Sequence, residues 1–292
     1  MGTIKKILFR MKKVASTVKH LTLSTTSTSA TWSPQSITNS GATLTWDVSG
    51  DIASTSQTID KPTFDLSANT GTVNMDVYDV SGLTIFQCYT NQLTSLDLSG
   101  CAILSEARIY GNQLTSLDVS ANNILTYLQC ATNQLTTLNL SLNTELRTLY
   151  CYENPLIALD VNINIYLTVL HCYTNQLTSL DLSANPDLIQ LDCHNNLITT
   201  LDLSNKTSLI GLYCYTNQIP SLDLSNCTSL KSVYAYGNNM SSTATDQIYI
   251  DLANNAVSNG NLWIRNNRTS ASDSARATLV SRGWTFNESY TT

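Results

Sequence analysis

The 292-residue chain is 42% hydrophobic and 12% charged, and no apolar run approaches the ~20 residues that a membrane-spanning helix needs. Its formal charge of −6 hides an asymmetry: residues 1–20 hold six basic and no acidic residues, which leaves nine basic against 21 acidic beyond them. A body at −12 excludes non-specific nucleic-acid binding, which depends on clustered Lys and Arg.

Residues 1–22 space Ile4, Ile7, Leu8, Met11, Val14, Val18 and Leu21 at helical intervals, with Lys5, Lys6, Lys12, Lys13 and Lys19 around them. The pattern predicts a basic amphipathic helix. It lacks the continuous apolar core and small-residue cleavage site of a secretory signal. Docking to a larger assembly, lying on a membrane surface, and plain capping all fit it. Residues 23–31 have the Ser/Thr composition of a linker. Residues 32–82 then alternate apolar and polar in short stretches, as in Ala42–Trp46 and Thr72–Val77, which predicts strands. The segments TLTWDVSGD and PTFDLSANTGTVNMDVYDVSG resemble a shortened PKD-like or Ig-like β-domain, which implies Trp46 and Phe64 as core residues of a β-rich N-cap.

From Leu83 to about Met240 the sequence repeats every 21 residues without insertion or deletion, opened by Leu83, Leu104, Leu125, Leu146, Leu167, Leu188, Leu209 and Leu230. Counting from that leucine, the pattern is L-x-x-L-x-C-x-x-N-x-L-x-x-L-x-L-x-x-N. A fixed period of this length marks a solenoid, in which each unit is too short to bury its own apolar face and stacking creates the core. The pattern resembles the leucine-rich repeat, and the cysteine at position 6 resembles the internalin J type. The resemblance implies a mainly β, right-handed solenoid of eight repeats over 83–240, rising about 4.8 Å per rung. After it, residues 241–292 read as a β/α C-terminal cap, with helical spacing over 246–257 and 272–282 and short strands between and after them.

Position 6 carries Cys88, Ile109, Cys130, Cys151, Cys172, Cys193, Cys214 and Ala235. A site filled equally by Ile, Ala and Cys is a packing site, which predicts buried thiols. The rival is disulfides between rungs, for which parallel side chains keep their Cβ atoms wider apart than the preferred ~3.8 Å. Cys101 and Cys227 fall in turns and read as surface or capping thiols.

Inward positions 4 and 6 turn positions 3, 5 and 7 outward, and a second strand at 14–16 would likewise present 13, 15 and 17. The second face is uniform: position 15 is Asp97, Asp118, Asn139, Asp160, Asp181, Asp202 and Asp223. Asp beside Ser there suits turn capping, and one carboxylate per rung falls short of the 6–8 oxygens of a calcium site. The first face varies. Position 7 carries Tyr89, Tyr110, Tyr152, Tyr173, His194, Tyr215 and Tyr236; position 5 includes Tyr150, His171, Asp192, Tyr213 and Tyr234; position 3 includes Tyr127. The resemblance places these on the concave side. Tyr gives broad amphipathic contact at low entropic cost, so these thirteen residues are the candidate ligand-binding set. Stacking between neighbouring rungs is a structural use of the same rings.

No Gly-rich phosphate loop, CxxC pair or HExxH occurs, and the neighbours His171–Cys172 and Cys193–His194 point to opposite sides of a strand, so no catalytic, metal or cofactor site is expected. A metal shared by His171, Asp192 and His194 is the alternative at that spot. The expected function is non-enzymatic recognition or adhesion. In that reading a phage virion surface protein docks by residues 1–22 and binds a host surface protein or glycan. A secreted or surface bacterial adhesin and a ligand-free decoration protein are the alternatives.

Overall fold

The computed structural model describes residues 20–29, 33–34, 36–39, 45–50, 55–58, 73–78, 80–265 and 267–287. Five strands precede the repeats: β1 (His20–Thr25), β2 (Ser36–Asn39), β3 (Thr45–Gly50), β4 (Thr55–Thr58) and β5 (Val73–Tyr78). The first repeat supplies β6 (Leu83–Gln87) and β7 (Leu93–Asp97). Each later repeat gives one three-residue strand from positions 3–5: β8 (Glu106–Arg108), β9 (Tyr127–Gln129), β10 (Thr148–Tyr150), β11 (Val169–His171), β12 (Gln190–Asp192), β13 (Gly211–Tyr213) and β14 (Ser232–Tyr234). Beyond them follow α1 (Ser242–Asn254), β15 (Asn261–Trp263), α2 (Asp273–Ser281) and β16 (Thr285–Asn287).

The repeat strands pair in parallel and in perfect 21-residue register, such as Leu149 with Leu170 and Leu170 with Leu191. Ten parallel strands, β6 and β8 to β16, form the long sheet, and β2 closes its N-terminal edge antiparallel to β6. Inside, the leucines of positions 1, 4, 11, 14 and 16 and the position-6 column make one continuous core, from Leu83 to Leu230. All eight cysteines are free and buried. Burial lifts the thiols of Cys88, Cys130 and Cys214 to about 12, so the ladder is a column of small apolar groups rather than of nucleophiles.

Two side-chain devices close each rung. Position 8 adopts a left-handed backbone in every repeat, from Thr90 (φ 54°) through Gly111 (68°) and Thr174 (52°) to Gly237 (64°). That sharp turn brings the position-9 asparagine inward. Asn154 Nδ2 donates to Cys130 O and Cys151 O, both at 3.1 Å, and its Oδ1 accepts from Leu135 N at 3.0 Å. Asn112, Asn133, Asn175, Asn196 and Asn217 repeat the same bonds. Backbone groups that a three-residue strand leaves orphaned are thereby satisfied, as buried polar groups require.

Several expectations need correction. The helix over 1–22 fails at its end, because His20, Leu21 and Thr22 belong to β1; residues 1–19 lie outside the described residues. The linker over 23–31 fails for the same reason. Leu21 and Leu23 alternate into the core, Thr25 and Ser27 are buried, and Thr25 Oγ1 donates to Asn91 O at 2.6 Å. The β-rich stretch 32–82 divides its strands between two sheets: β4, β3 and β5 lie in one with β1 and β7, in the order β4-β3-β5-β1-β7, while β2 joins the other. Phe64 and the side chain of Trp46 lie outside the described residues.

Cys101 and Cys227 are not surface thiols: both are fully buried in the position-19 column, which Asn122, Asn143, Asn164, Asn185 and Lys206 complete. The second strand exists only in the first repeat, as β7, with a single bridge from Asp97 to Asp118 beyond it. The position-15 side chain takes the backbone N–H of position 17 in the first repeat and the later ones alike, as in Ser99 N to Asp97 Oδ1 at 2.8 Å and Ser183 N to Asp181 Oδ1 at 2.9 Å; what sets the first repeat apart is β1, which lies antiparallel beside β7.

The C-terminal segment continues the rungs. Ser241 caps α1 by accepting from Ala244 N at 3.1 Å, and Asp251 of α1 accepts from Leu224 N at 3.0 Å, tying the helix to the last repeats. Val233 pairs with Leu262 and Leu262 with Phe286, so β15 and β16 extend the long sheet. Trp284 lies over Gly260, where any Cβ would approach the indole to 2.5 Å, and Gly283 (φ 78°) ends α2.

Candidate functional site

Positions 3, 5 and 7 stand in three columns on the outward face of the long sheet, because inward positions 4 and 6 alternate with them. The rungs hold successive position-7 rings face to face. Tyr89 stacks on Tyr110 at 4.5 Å between centroids, Tyr152 on Tyr173 at 4.3 Å, Tyr173 on His194 at 4.4 Å, His194 on Tyr215 at 4.1 Å and Tyr215 on Tyr236 at 4.6 Å, all within 14° of parallel. Ala131, fully buried, interrupts the column between Tyr110 and Tyr152. Burial raises the phenols of Tyr110 and Tyr173, so they remain donors at neutral pH.

Position 5 is arranged differently. Tyr150 meets Tyr127 edge-on at 5.7 Å and His171 edge-on at 4.8 Å, and Tyr213 meets Tyr234 edge-on at 4.9 Å. Tyr234 stacks on Trp263 of β15 at 4.8 Å, which carries the aromatic surface one rung past the repeats. Trp263 is absent from the sequence-derived set; the signal was present, since Asn261-Leu-Trp-Ile264 copies positions 3–6 and faces Tyr234 in register. All thirteen candidates are half-buried and lie on this one face.

At its centre Asp192 Oδ1, at the end of β12, sits 2.5 Å from Nδ1 of His194 two residues on. His171, one rung away, is pulled below the ordinary imidazole value by burial, with the Asp192 carboxylate opposing. Among the described residues no group of three or more His, Cys, Asp or Glu side chains is placed to hold a metal ion. Toward the N-terminal end, Glu106 Oε1 accepts from Arg108 Nε at 2.7 Å and from Gln87 Nε2 at 2.8 Å, and the Arg108 guanidinium lies 4.6 Å above the Tyr127 ring. The face therefore grades from a charged, amide-rich end to an aromatic end. Sequence reading also passed over Glu106 and Arg108 as site residues, since single charges at variable positions carry no spacing signal.

The cysteine column and the fold together decide the kinship. The functional domain of InlJ from Listeria monocytogenes, which includes a cysteine ladder, superposes with a TM-score of 0.57 at 34% identity, covering 65% of this chain and 40% of its own. This chain is a leucine-rich-repeat protein of the cysteine-ladder type. A leucine-rich-repeat protein of Leptospira interrogans (TM-score 0.62, 21% identity, 71% of this chain and 55% of that one) shares the fold. So does an internalin C2 of Listeria monocytogenes (TM-score 0.55, 20% identity, 60% of this chain and 80% of that one). No protein-family model and no curated protein matches the sequence. The leucine-rich-repeat fold is one of protein interaction and adhesion, and the aromatic columns stand on the outward face of its long sheet.

Proposed function

We propose that this leucine-rich-repeat protein is a non-enzymatic recognition protein that binds an extended protein surface through positions 3, 5 and 7, centred on Tyr150, His171, Asp192, Tyr213 and Tyr234. The observation that carries this reading is the difference between the two ring columns. In position 7 the ring faces cover one another, which stabilises the sheet and leaves edges and hydroxyls to solvent. Position 5 is a mixed set of edge-on rings, one acid and one imidazole, a variety that rung stacking does not require and that suits hot-spot contacts with a protein. Chemistry at the paired His and Cys residues is disfavoured by placement: Cys172 and Cys193 are buried while His171 and His194 face outward.

The proposed setting is the surface of a phage virion facing a host envelope, with the basic stretch 1–22 for attachment. A ligand-free decoration protein is the second reading, favoured by the stacked position-7 column. The test is binding of the labelled full chain to intact cells, with and without prior protease treatment of the cells, beside a Tyr150/Tyr213/Tyr234→Ala variant checked for folding. Saturable binding abolished by the protease and weakened at least about tenfold in the variant is expected. Binding that survives protease and transfers to a glycan array selects a carbohydrate ligand instead, and no saturable binding to any cells selects the decoration reading.

A further inference from the structure

The N-terminal end of the aromatic face shows how this surface holds a guanidinium. Arg108 of β8 donates through Nε to Glu106 Oε1 at 2.7 Å and lies 4.6 Å above the ring of Tyr127, which stands in the position-3 column one rung on. The carboxylate fixes the charge and the ring covers the flat face, a combination that suits a planar guanidinium better than an ammonium. At the centre of the same face a carboxylate and a ring recur without an arginine of the chain between them. The Asp192 side chain is only 16% exposed, and its hydrogen bonds, from His194 Nδ1 at 2.5 Å and the His194 N–H at 3.4 Å, both end on Oδ1. Oδ2 takes no bond from a described residue, and no described Lys or Arg forms an ion pair with this group. Tyr213, beside Asp192 on β13, folds back along its own strand over Gly211, where a Cβ would sit 3.2 Å from Tyr213 Cε2 and 3.8 Å from Cζ. Glycine at 211 thus lets that ring lie in the position-3 column one rung beyond the charged group, the place that Tyr127 holds beside Arg108.

We infer that Asp192, Tyr213 and His171 form a binding site for an arginine side chain of the partner protein, with Asp192 Oδ2 accepting from the guanidinium and the Tyr213 ring covering its face. A carboxylate largely withdrawn from water gives up hydration, and a cation that reaches it offsets that cost. The two imidazoles give Asp192 polar company without a full charge while they are neutral, and burial holds His171 toward its neutral form. A partner lysine would bring the charge but not the flat face that stacks on a ring. The site rests on the reading of this face as a binding surface, and it states what the partner presents at its centre.

The full-length chain carries its own reporters, because two of its three histidines stand at the site and the third, His20, lies in the other sheet. Proton NMR at neutral pH, with a chelator present, follows the three imidazoles during titration with N-acetyl-arginine methylamide. Saturable shifts of His171 and His194 at millimolar probe are expected, with His20 unmoved. Affinity should fall at least about tenfold for the uncharged citrulline analogue, and as much in an Asp192→Asn variant, which keeps an acceptor for His194 Nδ1. Absence of a saturable shift, an equal response to citrulline, or an unchanged response in Asp192→Asn overturns the site. Equal affinity for the lysine analogue means that any cation suffices and overturns the assignment to arginine. If the Tyr150/Tyr213/Tyr234→Ala variant loses cell binding while arginine shifts nothing in the native chain, the face remains a binding surface and this site alone is refuted. If arginine shifts both imidazoles in a chain that binds no cells, the site stands and the cell-binding reading falls.

Discussion

Replacing Asn154 by alanine should unfold the middle of the solenoid at markedly lower denaturant. The side chain is 5% exposed and makes four bonds: Nδ2 to Cys130 O, Cys151 O and Tyr152 O at 3.1, 3.1 and 3.2 Å, and Oδ1 from Leu135 N at 3.0 Å. Truncation leaves the buried Leu135 N–H without a partner, while Cys130 O keeps Asn133 Nδ2 at 3.1 Å and Cys151 O keeps Asn175 Nδ2 at 3.2 Å; one orphaned group at about 1–3 kcal/mol, with the lost donor bonds, puts the loss on the order of 2–3 kcal/mol. Asn162→Ala, at an exposed position of the adjoining turn, should cost under about 0.5 kcal/mol. Urea unfolding followed by both far-ultraviolet dichroism and Tyr/Trp fluorescence measures the difference and checks that the transition stays cooperative, which repeat arrays do not guarantee. If Asn154→Ala and Asn162→Ala agree within about 1 kcal/mol, the bonds drawn through position 9 are not what holds the rungs.

Other expectations follow from the same geometry. In the native protein a thiol reagent such as dithiobis-nitrobenzoate should titrate none of the eight cysteines, and all eight in denaturant; a reactive native thiol would contradict the burial of the ladder. His171 titrates below its ordinary 6.5, so its neutral form is the one that the fold favours. Its contribution is therefore present above pH 6.5 and lost as pH falls from there through its folded value, and a His171→Gln variant should lose that part of the stability slope. Gly111→Ala should destabilise by about 1–2 kcal/mol, because the left-handed backbone is strained for Ala and its Cβ would sit 2.9 Å from Thr90 Cγ2; unchanged urea stability would refute this.

The repeats were legible because translation multiplies the signal: one pattern read eight times fixes period, register and inward columns, and parallel pairing such as Leu149 with Leu170 is its direct outcome. Where the chain is read once, composition misleads. Thr22–Thr25 has the Ser/Thr content of a linker, yet Leu21 and Leu23 at period two make it a strand, an alternation too short to stand out. The missing second sheet was hidden for another reason. Asp at position 15 was legible as a turn-capping residue, and it caps the first repeat as it caps the others; that β7 forms only where β1 lies beside it depends on a pairing between segments about 70 residues apart. The site followed the same division. The periodic tyrosines were visible, whereas Trp263, Glu106 and Arg108 join them only through pairing across rungs.

Position 19 shows how bond count sets tolerance within a single chain. Position 9 is asparagine in all eight repeats, while position 19 is asparagine at 122, 143, 164 and 185 but Cys at 101 and 227 and Lys at 206. In the structure Asn143 Nδ2 donates to Val119 O and Asn122 O, both at 3.0 Å, and its Oδ1 accepts from no protein group; Asn122, Asn164 and Asn185 are alike. A donor alone is thus enough there, and Cys227 meets it with a weak Sγ contact to Leu203 O at 3.7 Å. An unpaired buried oxygen is itself a cost, so removing it recovers part of what the lost donor forfeits. Asn164→Cys should therefore cost about 1 kcal/mol or less against about 2–3 for Asn154→Cys, both read by urea unfolding. Equal losses at the two positions would mean that the orphaned oxygens are satisfied by bound water and that both columns hold the rungs alike.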